Sequence, residues 1–119
     1  LNGEANPNGS ATTGWFRYST TDPGTCNDSF GSRAPTSGGS SLGSGTSAQA
    51  YSRSILDLLP GTTYYYCAIA SNVEGLSFGS LLSFTTASLS PAVSTNAATL
   101  VTRTSAQLNG TANPNGVST

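Results

Sequence analysis

The chain has no histidine, no lysine and no methionine in 119 residues, and charged residues make up only 8% of it. Each absence excludes some chemistry. Without histidine there is no Ser-His-Asp triad and no imidazole metal site. Without lysine there is no Schiff base and no Lys–Asn isopeptide crosslink. Four arginines against five acidic residues give a net charge of −1. Such a chain cannot neutralise a row of phosphates, so nucleic acid is excluded as a partner, and so is an anionic membrane surface. No apolar run approaches the ~20 residues of a membrane span. No secretory leader is readable, so an export signal is expected to lie outside this stretch or to have been removed. Serine and threonine hydroxyls abound, yet no base stands by to activate them. The sequence therefore reads as non-enzymatic, with no cofactor and no metal.

Ser, Thr, Gly and Asn fill the space that charge leaves. Trp15, five tyrosines and four phenylalanines supply anchors that a disordered chain would lack. The length is one domain's worth. Two cysteines, Cys26 and Cys67, cannot complete a four-ligand zinc site. In a chain of this composition they are expected to form one disulfide, which implies an oxidising, extracellular or cell-surface setting. The alternative is a pair of buried free thiols.

No stretch has a helical period. Gly, Pro, Asn and Ser punctuate the chain at the short intervals typical of an all-β sandwich. Residues 1–6, 14–19, 49–58, 63–71, 77–86, 97–102 and 105–112 read as strands. Alternation puts Phe16 and Tyr18 on one face of their strand, and Trp15 and Arg17 on the other. Tyr64, Tyr66, Ala68 and Ala70 alternate with Tyr65, Cys67, Ile69 and Ser71. The expected core is Phe16, Tyr18, Ile55, Leu58, Tyr66, Ala68, Leu82 and Phe84. Residues 20–48 are turn-rich and poor in apolar side chains. A loop of that length needs a reason, and a disulfide rooted at Cys26 supplies one.

The stretch LLPGTTYYYCAIASNVEG resembles the E–F corner and F strand of fibronectin type III domains. On that resemblance Leu58 is the E-strand core leucine, and Pro60, Gly61 and Thr62 make the turn. Tyr64 is the tyrosine-corner residue, its hydroxyl directed to upstream backbone. Ala70, Asn72 and Gly75 fall on the F–G hairpin, and SFTT at 83–86 on the closing G strand. SAQLNGTANPNG at 105–116 is similar to the B strand of repeats in large bacterial surface and secreted proteins, and ATLVT before it to their A strand. The implied fold is a seven-stranded fibronectin type III-like sandwich. Cys26 then follows strand C and Cys67 lies on strand F of the same sheet, where neighbouring strands are close enough to bridge. The chain departs from the pattern at residues 20–48, and at Cys67, an outward position often charged.

The chain also repeats itself. LNGEANPNG occupies residues 1–9 and LNGTANPNG residues 108–116, with Glu4 and Thr111 the single mismatch. The offset of 107 residues (108 − 1) is about one sandwich plus a linker, which is the mark of a tandem array. Residues 1–86 then read as a body from strand B to strand G, 87–96 as a linker, and 97–119 as strands A and B of the next repeat. Each end needs what the other has. Either the chain is one period of a longer polypeptide, or separate subunits share strands by β-strand addition. A third arrangement, the tail folding back on its own body, would leave one LNG strand spare. In the shared-strand arrangement Leu100, Leu108, Gly110 and Ala112 belong to the donated segment. Leu108, Gly110 and Ala112 then match Leu1, Gly3 and Ala5.

Two classes of function follow. The first is a structural repeat of an extracellular filament, stalk or sheath, whose partners are copies of itself. The second is an adhesin-like module holding carbohydrate or another surface protein, with Trp15, Tyr65 and Phe30 as its exposed aromatic surface. The competing role for those aromatics is to cover the disulfide and the long loop. Asp22, Asn27 and Asp28 offer too few oxygen ligands for calcium. Asn8, Asn27 and Asn109 head glycosylation-type sequons, of a kind that arises easily in so Asn/Ser/Thr-rich a chain.

Overall fold

The structure, a computed structural model, describes residues 1–115. It contains ten strands and no helix among the described residues. The strands are β1 (Asn2–Ala5), β2 (Thr12–Ser19), β3 (Ser32–Ala34), β4 (Ser40–Gly43), β5 (Gln49–Ser52), β6 (Thr63–Asn72), β7 (Gly75–Phe78), β8 (Leu82–Thr85), β9 (Ala92–Thr99) and β10 (Gln107–Asn113). Every strand pair is antiparallel. The chain divides into two compact units: Leu1–Leu58 with Thr62–Thr86, and Leu59–Gly61 with the chain from Ala87 onward.

The first unit has two layers, consistent with a β-sandwich. One is the pair β1–β5; the other is a six-stranded sheet centred on β2 and β6. β2 carries β3 and β4 on its outer edge, and β6 carries β7 and β8. The β2–β6 ladder runs from Thr13 opposite Ser71 to Ser19 opposite Tyr65. Between the layers lie Phe16, Ala34, Leu42 and Tyr51, flanked by Leu1, Ala5, Tyr18, Ile55, Tyr66 and Ala68. The Phe16 and Tyr51 ring centroids are 5.1 Å apart. Two glycines let the layers approach this closely. A β-carbon on Gly3 would stand 2.7 Å from that of Ala68, and one on Gly14 would stand 2.7 Å from the Tyr51 ring. Any larger residue would force the layers apart.

The opposite face of the large sheet is also covered. Trp15, Cys67 and Ile69 are buried there, beneath Cys26, Phe30 and Leu81. A sheet buried on both faces has apolar residues at consecutive positions. Trp15 and Phe16 on β2, and Ile69 and Ala70 on β6, follow that rule.

The structure departs from several sequence expectations. Residues 20–48 are not one irregular loop, because β3 and β4 lie within them and pair with β2. The strand expected over 77–86 is two strands, broken at 79–81, where the Gly79 amide donates to the Ala68 carbonyl. The last two strands start at Ala92 and Gln107 in place of residues 97 and 105. In the core, Phe16 is fully buried, while Leu58 and Phe84 are half-buried. Leu82 is not a core residue, being 54% exposed. It opens an edge strand, and its neighbour Leu81 points the other way and is the one that packs.

The second unit is a hairpin. β9 and β10 pair from Ala92 opposite Asn113 to Thr99 opposite Gln107, with a bulge between Gln107 and Asn109. Val93 stands opposite Ala112 and Thr95 opposite Gly110. Directly opposed residues share a face, so Leu108, Gly110, Ala112 and Val93 form an apolar stripe. None of it is buried: Val93 is 74% and Leu108 86% exposed. Leu100 and Val101, in the turn, are 74% and 67% exposed.

Candidate functional site

Two places in the first unit bring distinctive side chains together. The first is the covered outer face. The long connection after β2 turns back over the sheet and is held there by a disulfide between Cys26 and Cys67, with a Cα–Cα distance of 5.9 Å. Asp28 sits at its centre. Its Oδ1 accepts from Trp15 Nε1 at 2.9 Å and from Arg17 Nε at 2.9 Å. Arg17 also donates to the Phe30 carbonyl. The Arg33 guanidinium lies 4.5 Å above the Trp15 ring, a cation–π contact. That arginine is fixed by donating to the Pro35 and Gly38 carbonyls, each at 2.7 Å. Partial burial alone would raise the Asp28 pKa, but the Trp15 and Arg17 hydrogen bonds and the charges of Arg17 and Arg33 hold it below its ordinary 3.8.

This arrangement corrects one expectation. Trp15 is not an exposed platform; it is 7% exposed and lies under the connection that the disulfide tethers. Phe30 packs into the same cluster and Tyr65 is half-buried. Phe30 takes the covering role weighed against binding, and Trp15 is what it covers. Two more side-chain oxygens of this connection close its turns. Asp22 accepts from the Gly24 amide, and Asn27 from the Ser29 amide and hydroxyl.

The second place is an open groove of about 310 Å³ between β1 and β7. Ala5 and Asn6 form one wall and Phe78 the other; Tyr51 and Ala70 are among the residues beneath, with Asn72 at one end. Tyr51 Oη donates to the Ile69 carbonyl at 2.9 Å, and burial pushes the Tyr51 phenol pKa up. Asn72 Nδ2 donates to the Pro7 carbonyl. The edge of β1 away from β5 has no strand partner among the described residues. Its lining mixes Ala5, Tyr51, Ala70 and Phe78 with Glu4, Asn8, Ser71 and Ser77, beside the free backbone edge of β1.

Sequence reasoning identified the cysteine pair but missed Tyr51 and Leu42. Tyr51 lay within an expected strand, yet nothing in its neighbourhood marked it as central. Leu42 is the one large apolar residue in GGSSLGSG, and its isolation was the available signal. Tyr64 is buried, stacked on Phe84 at 5.6 Å with Tyr18 at 6.3 Å. No family model, curated protein or solved structure matches this chain. No helix among the described residues is long and apolar enough to cross a membrane.

Proposed function

We propose that this chain is a structural repeat of an extracellular filament, stalk or sheath, built from fibronectin type III-like sandwiches joined head to tail. One observation carries the reading. The LNG-x-ANPNG segment occurs twice, packed in a layered core at the first copy and bare on a hairpin at the second. A two-stranded hairpin is marginal in water by itself, and an apolar stripe on it needs a cover. Repetition at 107 residues says what the cover is: another copy of the same body.

The strand pairing supports the family resemblance. β1 pairs with β5, β2 with β6, and β6 with β7 and β8. They correspond to the B–E, C–F and F–G neighbours that the resemblance implies for a sandwich without strand A. In this reading Tyr64 is the tyrosine corner. The disulfide supports an oxidising, extracellular setting. The burial of Trp15 removes one of the three aromatics that the adhesin reading relies on and leaves Tyr65 and Phe30 half-exposed.

Head-to-tail contacts are heterologous, so they propagate into open filaments wherever the rotation between copies does not close a ring. Sedimentation and electron microscopy of the oxidised chain across concentration test the reading. Linear particles that lengthen with concentration are expected. A monomer at all concentrations, or a closed dimer, would overturn it.

A further inference from the structure

We infer that the groove between β1 and β7 is the seat of an Ala92–Thr99 strand from a second copy of this chain. The inference rests on the head-to-tail reading and names the contact that makes it.

The first argument is register. β9 pairs with β10, and β10 carries the same residues as β1 at an offset of 107, apart from Thr111 for Glu4. A backbone edge that accepts β9 at β10 accepts it at β1. Transferred by that offset, Asn96 stands opposite Asn2, Thr95 opposite Gly3, Ser94 opposite Glu4 and Val93 opposite Ala5. β1 of one copy replaces β10 of the other, and the hydrogen-bond ladder is kept.

The second argument is facing. Val93 shares its face with Ala112 on the hairpin, and the counterpart of Ala112 is Ala5, which packs inward on the core. Val93 therefore points into the groove that Ala5 lines, and Thr95 and Ala97 follow by alternation. On the hairpin the Val93 side chain meets water; in the groove it meets Ala5 and Phe78. The exchange keeps β9 paired, with β1 in place of β10, and adds burial of Val93. That difference drives association, as in other cases of β-strand addition to an open edge.

The third argument is completeness. The β1 edge is open among the described residues of one chain, and the exchange fills it with a β9 that leaves β10. The donor's β9 covers the acceptor's groove, while the donor's own groove stays free for the next copy.

Cysteine pairing in the full oxidised chain tests this. Directly opposed residues in an antiparallel pair lie within disulfide range. An Ala5→Cys chain is mixed with a Val93→Cys chain, and separately with a Ser94→Cys chain, whose added thiol faces the other way. The expected result is an interchain Ala5–Val93 bond, mapped by mass spectrometry, forming at least about tenfold faster than Ala5–Ser94. Asn2→Cys with Asn96→Cys repeats the test at two exposed positions, where neither substitution disturbs the core. A chain carrying both Ala5→Cys and Val93→Cys separates the alternatives. A bond formed within one chain would overturn the proposal, because the tail would then occupy its own groove. Equal rates for the Val93 and Ser94 pairs would overturn it as well. If linear particles form without either matched crosslink, the groove proposal fails and the filament reading stands. If neither particles nor crosslinks form, both fail.

Discussion

The two copies of the LNG nonapeptide have the same turn and opposite surroundings. In the first, the Asn8 amide donates to Asn6 Oδ1 at 2.9 Å; in the second, the Asn115 amide donates to Asn113 Oδ1 at 2.9 Å. Asn8 and Asn115 have φ of 52° and 56°, the left-handed region that asparagine tolerates. The local conformation is therefore written in the NPN triplet. Burial is not. Pro7 is under 2% exposed and Leu1 is half-buried, whereas Pro114 is exposed and Leu108 is 86% exposed. Gly116, the last letter of the second copy, lies outside the described residues. The same letters specify a strand and its turn in both places, and among the described residues only the first copy contributes to a core.

The comparison can be broken in several ways. Breaking the Cys26–Cys67 bond should have the largest effect, because it closes a 41-residue separation inside the first unit. A Cys26→Ala chain should lose roughly 4 kcal/mol in the chain-entropy model. Urea unfolding followed by Trp15 fluorescence measures it. Amide exchange in β9 and β10 of the unassembled chain should not change.

The paired glycines come next. Gly3→Ala places a β-carbon against Ala68 and Phe16, while Gly110→Ala meets only the Ser94 carbonyl at 3.3 Å. The first should cost about 1–3 kcal/mol by overpacking, the second no more than about 0.5 kcal/mol. Equal losses in thermal unfolding of the unassembled chain would mean that the two copies share one environment. Tyr51→Phe should cost about 1–2 kcal/mol, because the buried Ile69 carbonyl loses its donor; chemical unfolding of the first unit reports it.

The smallest effect is that of Asp28. Its folded pKa is depressed, so its contribution is fully present above the ordinary 3.8 and is lost as pH falls through the folded value. Asp28→Asn should flatten the acid limb of first-unit stability, measured as urea midpoint against pH, and leave hairpin exchange alone.

Much of this was legible in the residues. Alternation placed Phe16 opposite in facing to Trp15, and the Tyr/Ala face of β6 opposite to Cys67 and Ile69. It could not say that both faces would be covered. By alternation alone Trp15 belongs to the outward face. The disulfide folds residues 20–31 onto that face and makes it a second core. β3 and β4 were illegible for another reason. SRA and SSLG are too short and too poor in β-branched or aromatic residues to read as strands, and the β2 edge supplies the pairing that makes them so. The repeat was plain in the letters, but the environment of each copy was not, because it depends on what stands opposite.

The central claim is that the bare hairpin is covered by another copy. Amide hydrogen exchange in β9, followed against chain concentration, tests it most directly, with β6 as the internal reference. The account predicts β6 protected at every concentration and β9 protection that rises as copies associate, accompanied by new protection along β1. β9 amides that exchange equally fast at all concentrations, while linear particles are present, would contradict it.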